Sequence, residues 1–308
     1  MNIKLYTILI VALAIFSACD DQIYPELDDA PEILVVDAWV TDLMEDQVVR
    51  LTKTAPYFEN TATKGVTGAQ VYITDDQGTS FDFVDQGNGN YVWTPATSGF
   101  GMVGSDYVLT VVAEGNTYTA ISTKNRVPKV DSITFEYNND KTFGVEEIYY
   151  SAELWASDLG GLGDQYWIKT YKNDVFLNKP SEISLVWDGG FNRSSTFDGE
   201  PFIPPIRQSI NPYDTNEEEE LISPYLDGDK VYVEIHSITE AAHNFLSEVQ
   251  IQTNREGGFG ALFATPLSNV PTNIENTTSE DLVVGFFCVS AVESKSAVLD
   301  ESQVPKDE

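Results

Sequence analysis

Acid–base or metal chemistry in this chain would have to run through very few side chains. Its 308 residues include two histidines, His236 and His243, and two cysteines, Cys19 and Cys288, against 49 Asp and Glu. Neither histidine has a Cys or His partner at metal-ligand spacing. A Ser-His-Asp triad assembles in space rather than in sequence, but no Gly-x-Ser-x-Gly elbow marks a nucleophile. Gly160-Gly161-Leu162-Gly163 lacks the Lys-Ser/Thr ending of a phosphate-cradling loop. Asp75, Asp76, Asp82 and Asp85 miss the Asp-x-Asp-x-Asp-Gly spacing of a calcium loop and read as hairpin acids. Paired carboxylates for glycoside hydrolysis occur in any chain this acidic and so discriminate nothing. The sequence therefore predicts a non-enzyme with no catalytic residue, no metal and no cofactor. A hydrolase is a distant alternative, whose sign would be a cleft gathering Asp198, Glu200 and His236.

Covalent attachment is written more sharply. Lys4 gives a short basic start, 5–16 is an apolar run, and Phe16-Ser17-Ala18 leads into Cys19. That is the form of a cleavable export signal. A run of a dozen residues is too short for a membrane span, which needs roughly 20. Ending on cysteine, the pattern looks like a lipobox, with Phe16 where Leu is usual. Residues 1–18 are therefore expected to be a lipoprotein signal peptide and Cys19 the lipidated first residue, carrying palmitate-type chains into the outer membrane. One acyl chain binds only marginally and two or three hold permanently. Cys288, left without a partner inside an apolar run, reads as a buried, inert thiol.

Asp20 and Asp21 follow at once, then Glu26, Asp28 and Asp29, with Pro25 and Pro31 between and after them. Acids placed next to a lipidated cysteine resemble the surface-export signals of Bacteroidota lipoproteins, which implies a cell-surface orientation. Residues 19–31 also read as an acidic, solvated tether. Net charge is -32, and loss of 1–18 removes one cation and no acid. Such a surface cannot displace counterions from a phosphate backbone, so no nucleic-acid partner is expected.

The elements that must hold any site are strands. Apolar alternation and turn residues place them at 33–40, 48–54, 69–75, 80–84, 90–94, 107–113 and 117–122. Asp76-Gln77-Gly78 and Gly87-Asn88-Gly89 supply positive φ for tight hairpins. Val66-Thr67-Gly68-Ala69-Gln70-Val71-Tyr72 resembles the opening of immunoglobulin-like and carboxypeptidase-regulatory-like surface modules, which are non-catalytic spacers and binding platforms. Residues 32–127 are thus expected to be an immunoglobulin-like β-sandwich, with a boundary at Arg126-Val127-Pro128-Lys129. A second, β-sandwich-like domain is expected over 130–300, with strands near 132–137, 147–156, 166–176, 182–187, 231–236 and 282–292, the last followed by a polar tail from Glu293. Thr239 caps one helix, about 240–252, with Ala242, Phe245, Leu246 and Val249 on one stripe. The fold class predicted is all-β.

Between them runs a long loop, 188–229, rich in proline and carrying the acidic run 217–220. Binding functions concentrate on such loops. Trp187 and Phe191 at its start, with Phe197 and Phe202 beyond, are the candidate contacts for a ligand or partner, since flat aromatic faces suit sugar rings or apolar anchors. Core packing is the competing role for these aromatics.

Several stretches are found together: Phe197-Asp198-Gly199-Glu200-Pro201-Phe202, Gly228-Asp229-Lys230-Val231-Tyr232-Val233, 239–246, Phe263-Ala264-Thr265-Pro266 with Thr272-Asn273-Ile274, and Val284-Gly285-Phe286-Phe287. In this order they resemble a Bacteroidota outer-membrane lipoprotein family defined by a domain of unknown function, DUF4249, across essentially the whole chain after Cys19. Genes of that family often lie beside those of TonB-dependent receptors. The resemblance therefore implies an accessory of such a receptor in uptake of a peptide, glycan or chelate, and it brings no catalytic residues with it. A structural or adhesive surface protein is the alternative.

Overall fold

The computed structural model describes residues 31–56, 61–140, 147–191, 196–213, 215, 221–255 and 268–306. The expected signal peptide 1–18, Cys19, Asp20, Asp21, the acidic run 217–220 and residues 256–267 lie outside them.

Seven strands open the chain: β1 (Leu34–Thr41), β2 (Gln47–Lys53), β3 (Gln70–Asp75), β4 (Ser80–Asp85), β5 (Asn90–Trp93), β6 (Asp106–Ala113) and β7 (Asn116–Thr123). Each falls within one residue of its expected ends, because alternation and turn chemistry agree along this stretch. On β1, Leu34, Val36, Ala38 and Val40 are buried while Asp37 between them is exposed. Their face meets Leu51, Ile73, Tyr91, Tyr107 and Leu109 in one core.

Two later strands join the same sheet. β15 (Val283–Ser290) runs parallel to β1, Leu34 opposite Val283 and Thr41 opposite Ser290. On the far edge β14 (Glu275–Asn276) pairs with β7, completing the order β14-β7-β6-β3-β4-β5-β2-β1-β15. The segment expected to form a separate domain over 130–300 thus supplies strands to the sheet begun in 32–127. Both halves fall in one contact-connected unit. The reason lies in β15, whose Phe287 and Val289 enter the first core while Phe286 and Cys288 enter another. A strand buried on both faces reads as a continuous apolar run, and it must be sandwiched between two layers. Gly285 has φ 110°, and a Cβ there would stand 1.9 Å from the Val36 carbonyl oxygen, so no other residue fits.

The sheet curls until its ends nearly meet, and side chains bridge the gap. Asn273 Nδ2 donates to the Phe287 carbonyl at 2.8 Å and Asn273 Oδ1 accepts from Phe287 N at 2.9 Å. Val289 N donates to Ser122 Oγ on β7 at 3.0 Å. Backbone groups of an otherwise open edge are satisfied in this way.

Beyond Pro128, β8 (Val130–Asp140) and β9 (Glu147–Ala156) form a long hairpin. A second sheet has the order β11-β10-β13-β16, from β10 (Gln165–Lys172), β11 (Val175–Phe176), β13 (Lys230–Ile238) and β16 (Val292–Val298), with β12 (Ser184–Trp187) also on β10. β16 corrects the expected polar tail: Ser294, Lys295 and Ser296 are exposed, yet their backbone pairs with β13. Ladder bonds do not depend on apolar side chains, and a lysine suits an edge strand.

The loop after β12 is also more than a surface excursion. It contains one helical turn, α1 (Pro204–Arg207), and a 3-10 turn (Gln208–Ile210). Phe202, Ile206, Ile210 and Tyr225 drop into the core between the hairpin and β13. The helix α2 (Glu240–Thr253) starts where Thr239 Oγ1 accepts from Ala242 N at 3.2 Å, and its buried Ala242 and Leu246 pack with Phe286 and Ile238. Among the described residues no helix is long and apolar enough to cross a membrane.

Candidate functional site

The four aromatics singled out in the long loop separate into two pairs. Phe202 is wholly buried, 5.9 Å from the Tyr166 ring, and Trp187 is 7% exposed with its ring edge-on to His243 at 5.2 Å. Both are packing residues, which corrects the expectation that they face a ligand. The strand-to-loop turn explains it: Trp187 ends β12 on β10 with its ring against the helix, and Phe202 donates its N–H to the Ala156 carbonyl, which holds it against the hairpin. Phe197 is 39% exposed and lies over Gly190, whose missing side chain makes room for the ring. Phe191 is 62% exposed and lines a hollow of about 280 Å³ with Pro205, Ser209, Tyr213 and Gln250.

Tyr213 also borders a second hollow, of about 300 Å³, between the loop and the hairpin. Its walls are Tyr149, Tyr150, Tyr213 and Tyr225, with the amides of Asn138, Gln208 and Asn211. Asn211 fixes the loop there: its Nδ2 donates to the Ala152 carbonyl at 2.9 Å and its Oδ1 accepts from Ala152 N at 2.7 Å, copying a strand pair. Tyr225 donates to the Ile210 carbonyl at 2.7 Å and Tyr213 to that of Gln208 at 2.6 Å. Burial raises the pKa of both phenols, so they stay neutral. Among the described residues no Asp, Glu, Lys, Arg or His lines this hollow. On a molecule of charge -32 these residues make an aromatic face suited to stacking and to amide hydrogen bonds. The tyrosines at 213 and 225 escaped the sequence reading. The signal was there, in Asn211-Pro212-Tyr213 and Ser223-Pro224-Tyr225, where a fixed proline φ precedes an aromatic ring.

The residues considered for other chemistry are placed as follows. Asp75 Oδ1 accepts from Gln77 N and Thr79 N, and Asp85 Oδ1 from Gly87 N, within hairpin turns, while Asp85 Oδ2 accepts from Gly68 N in the segment ahead of β3. Those two backbone bonds hold Asp85 below the ordinary carboxylate range. The glycine-rich loop points its carbonyls outward to a cation: Arg126 donates to the Gly160 and Gly161 oxygens at 3.0 and 2.7 Å and pairs with Asp164. Asp198 accepts from Gly161 N at 2.7 Å. His236 is 3% exposed on β13, and the cleft it lines includes neither Asp198 nor Glu200. Its Nε2 lies 2.8 Å from Glu234 Oε2. Burial, then the charge of Lys169, lower its pKa to about 4, so a neutral imidazole donates to a carboxylate. Cys288 is fully buried, and that burial raises its thiol pKa. Among the described residues no three His, Cys, Asp or Glu are grouped to hold a metal ion.

A family model described as a domain of unknown function (DUF4249) matches residues 20–296. The chain belongs to this family. The DUF4249 domain begins one residue after Cys19 and ends inside β16, so it takes in both sheets, the long loop and the helix. No curated protein matches the chain.

Proposed function

We propose that this DUF4249 protein is a surface-exposed outer-membrane lipoprotein, held through acylated Cys19, that acts as a non-enzymatic accessory of a TonB-dependent receptor in nutrient uptake. The observation that carries the reading is the tyrosine-lined face raised by the long loop, with no charged side chain among its described lining residues, on a strongly acidic molecule. Aromatic enrichment with depletion of charge is the composition of an interface core, and Tyr213, Phe191 and Tyr149 are where a receptor's extracellular loops would seat. Support for the address comes from the export signal ending at Cys19 and from a family domain that starts at residue 20. The acids at Asp20 and Asp21 favour the outward side. Nutrient classes in keeping with the role are a peptide, a glycan or a chelate.

The test is genetic and chemical. A fatty-acid probe labels the wild-type chain and not Cys19→Ser, and deletion of the gene lowers uptake of one nutrient class at unchanged membrane integrity. Uptake and receptor abundance unchanged across peptides, glycans and chelates, with attachment or envelope integrity lost instead, would transfer the protein to the adhesive class.

A further inference from the structure

On the side of β13 turned away from the loop lies a cleft of about 420 Å³ bounded by β10 and β13 and by the end of β1 with the turn into β2. Three cross-strand pairs build its floor: Trp167 opposite His236, Lys169 opposite Glu234, and Tyr171 opposite Tyr232. Glu234 is already well supplied with donors. It accepts from Tyr232 Oη at 3.0 Å and His236 Nε2 at 2.8 Å, with Tyr171 Oη at 3.5 Å. Lys169 is not so placed. Its Nζ rests 4.2 Å above the Trp167 ring and has no hydrogen-bond acceptor among the described residues, although it lines the cleft and carries three donors. Half-buried and open to the cleft, this ammonium keeps its donors available to an anionic or carbonyl acceptor from outside the chain.

The mouth has the opposite character. Glu45 is exposed there with its carboxylate unpaired among the described residues. Beside it, Asp46 accepts from Thr94 and Asp174 pairs with Lys230. A simple anion would have to pass these acids to reach Lys169, and a polyamine would bring its second charge against that lysine. A molecule with one charge of each sign satisfies both ends, and Trp39 on the wall offers its remaining part an aromatic face.

We propose that this cleft binds a zwitterion of the amino-acid or short-peptide class, its carboxylate on Lys169 Nζ, its ammonium at Glu45 and its side chain against Trp39. The volume suits so small a ligand. The proposal goes beyond the receptor reading and assigns the cargo to a site separate from the tyrosine face. Burial lowers the pKa of Lys169, with Glu234 as the chief opposing charge, so a bound carboxylate would strengthen its hold on the proton.

Calorimetric titration of the full mature lipoprotein in mild detergent tests this without any receptor present. The probes are alanylalanine and phenylalanylalanine, their N-acetylated forms, their C-terminal amides, and putrescine. Binding of the free dipeptides is expected, with about tenfold loss on amidation or in Lys169→Gln, and a two- to fivefold loss on acetylation or in Glu45→Gln, as buried and exposed charge contacts differ. No binding by either dipeptide, or equal affinity for the blocked forms, overturns the proposal. Should Lys169→Gln not fold, the blocked-ligand series on the wild type and the exposed Glu45→Gln decide it. A negative titration leaves the receptor reading standing, because that reading is measured by uptake and association.

Discussion

The two faces of β13 come from the same nine residues and do opposite things. Toward the hairpin, Val231, Val233 and Ile235 are wholly buried among Leu154, Ile206, Ile210 and Tyr225. Toward β1 and the helix, Tyr232, Glu234 and His236 form a hydrogen-bonded row beside Lys169, with His236 and Glu234 nearly as buried as the apolar set. One face is held by dispersion and exclusion of water, the other by polar groups that must be satisfied because water cannot reach them freely. Alternation in sequence shows that two faces differ. It does not show that the polar one is wet.

The core face should give the largest response to truncation. Ile235→Ala is expected to cost about 2–5 kcal/mol, read as a fall in the urea midpoint, because the surrounding rings cannot collapse into the space. If that substitution were nearly neutral, the hairpin would not be the partner of this face.

The cleft face should show itself through pH. His236 is held neutral by burial and by Lys169, against the pull of Glu234 and Asp42, down to about 4 from an ordinary 6.5. Between those values the unfolded chain binds a proton that the folded chain refuses. Stability is therefore full above about pH 6.5 and falls as pH drops through the window, by roughly 3 kcal/mol. Glu234, kept charged by His236 and Tyr232 in spite of its burial, loses stability in the same direction at still lower pH. His236→Leu should flatten the slope between pH 4 and 6.5 by one proton. An unchanged slope would mean that the row is not coupled to folding.

Smaller effects test what lays other elements over that polar face. Asn273→Ala leaves the Phe287 N–H and carbonyl without their partner and should cost about 1–3 kcal/mol, with faster amide exchange along β15. Thr239→Ala removes the cap of α2 and should cost about 1 kcal/mol in thermal unfolding. Equal amide exchange across β15 in wild type and Asn273→Ala would show that the sheet's closing edge is held by other contacts.

Much of this fold is legible in the residues. The first seven strands follow from alternation and from Asp-Gln-Gly and Gly-Asn-Gly turns, and the helix follows from Thr239 and its stripe. Three features are not, each for a physical reason. An apolar run such as 283–290 states that both faces are buried and says nothing of which strand lies alongside, so the return of β15 to β1 is hidden. β16 is polar because edge pairing needs only backbone. Phe202, Ile206 and Ile210 sit in a proline-rich segment with no regular period, so their burial has no pattern to announce it. At the candidate site, aromatic type alone does not separate the exposed Phe191 and Phe197 from the buried Trp187 and Phe202, and the two Pro-Tyr pairs that line the hollow were passed over.

The proposed service to an outer-membrane receptor is most directly tested by purifying the tagged native protein from membranes in mild detergent and weighing its stoichiometric partners by mass spectrometry. A TonB-dependent barrel recovered with the wild type, and lost when Tyr213 and Phe191 are both changed to Asp with the fold intact, is the predicted result. Recovery of the protein alone, across several detergents and growth conditions, would contradict it.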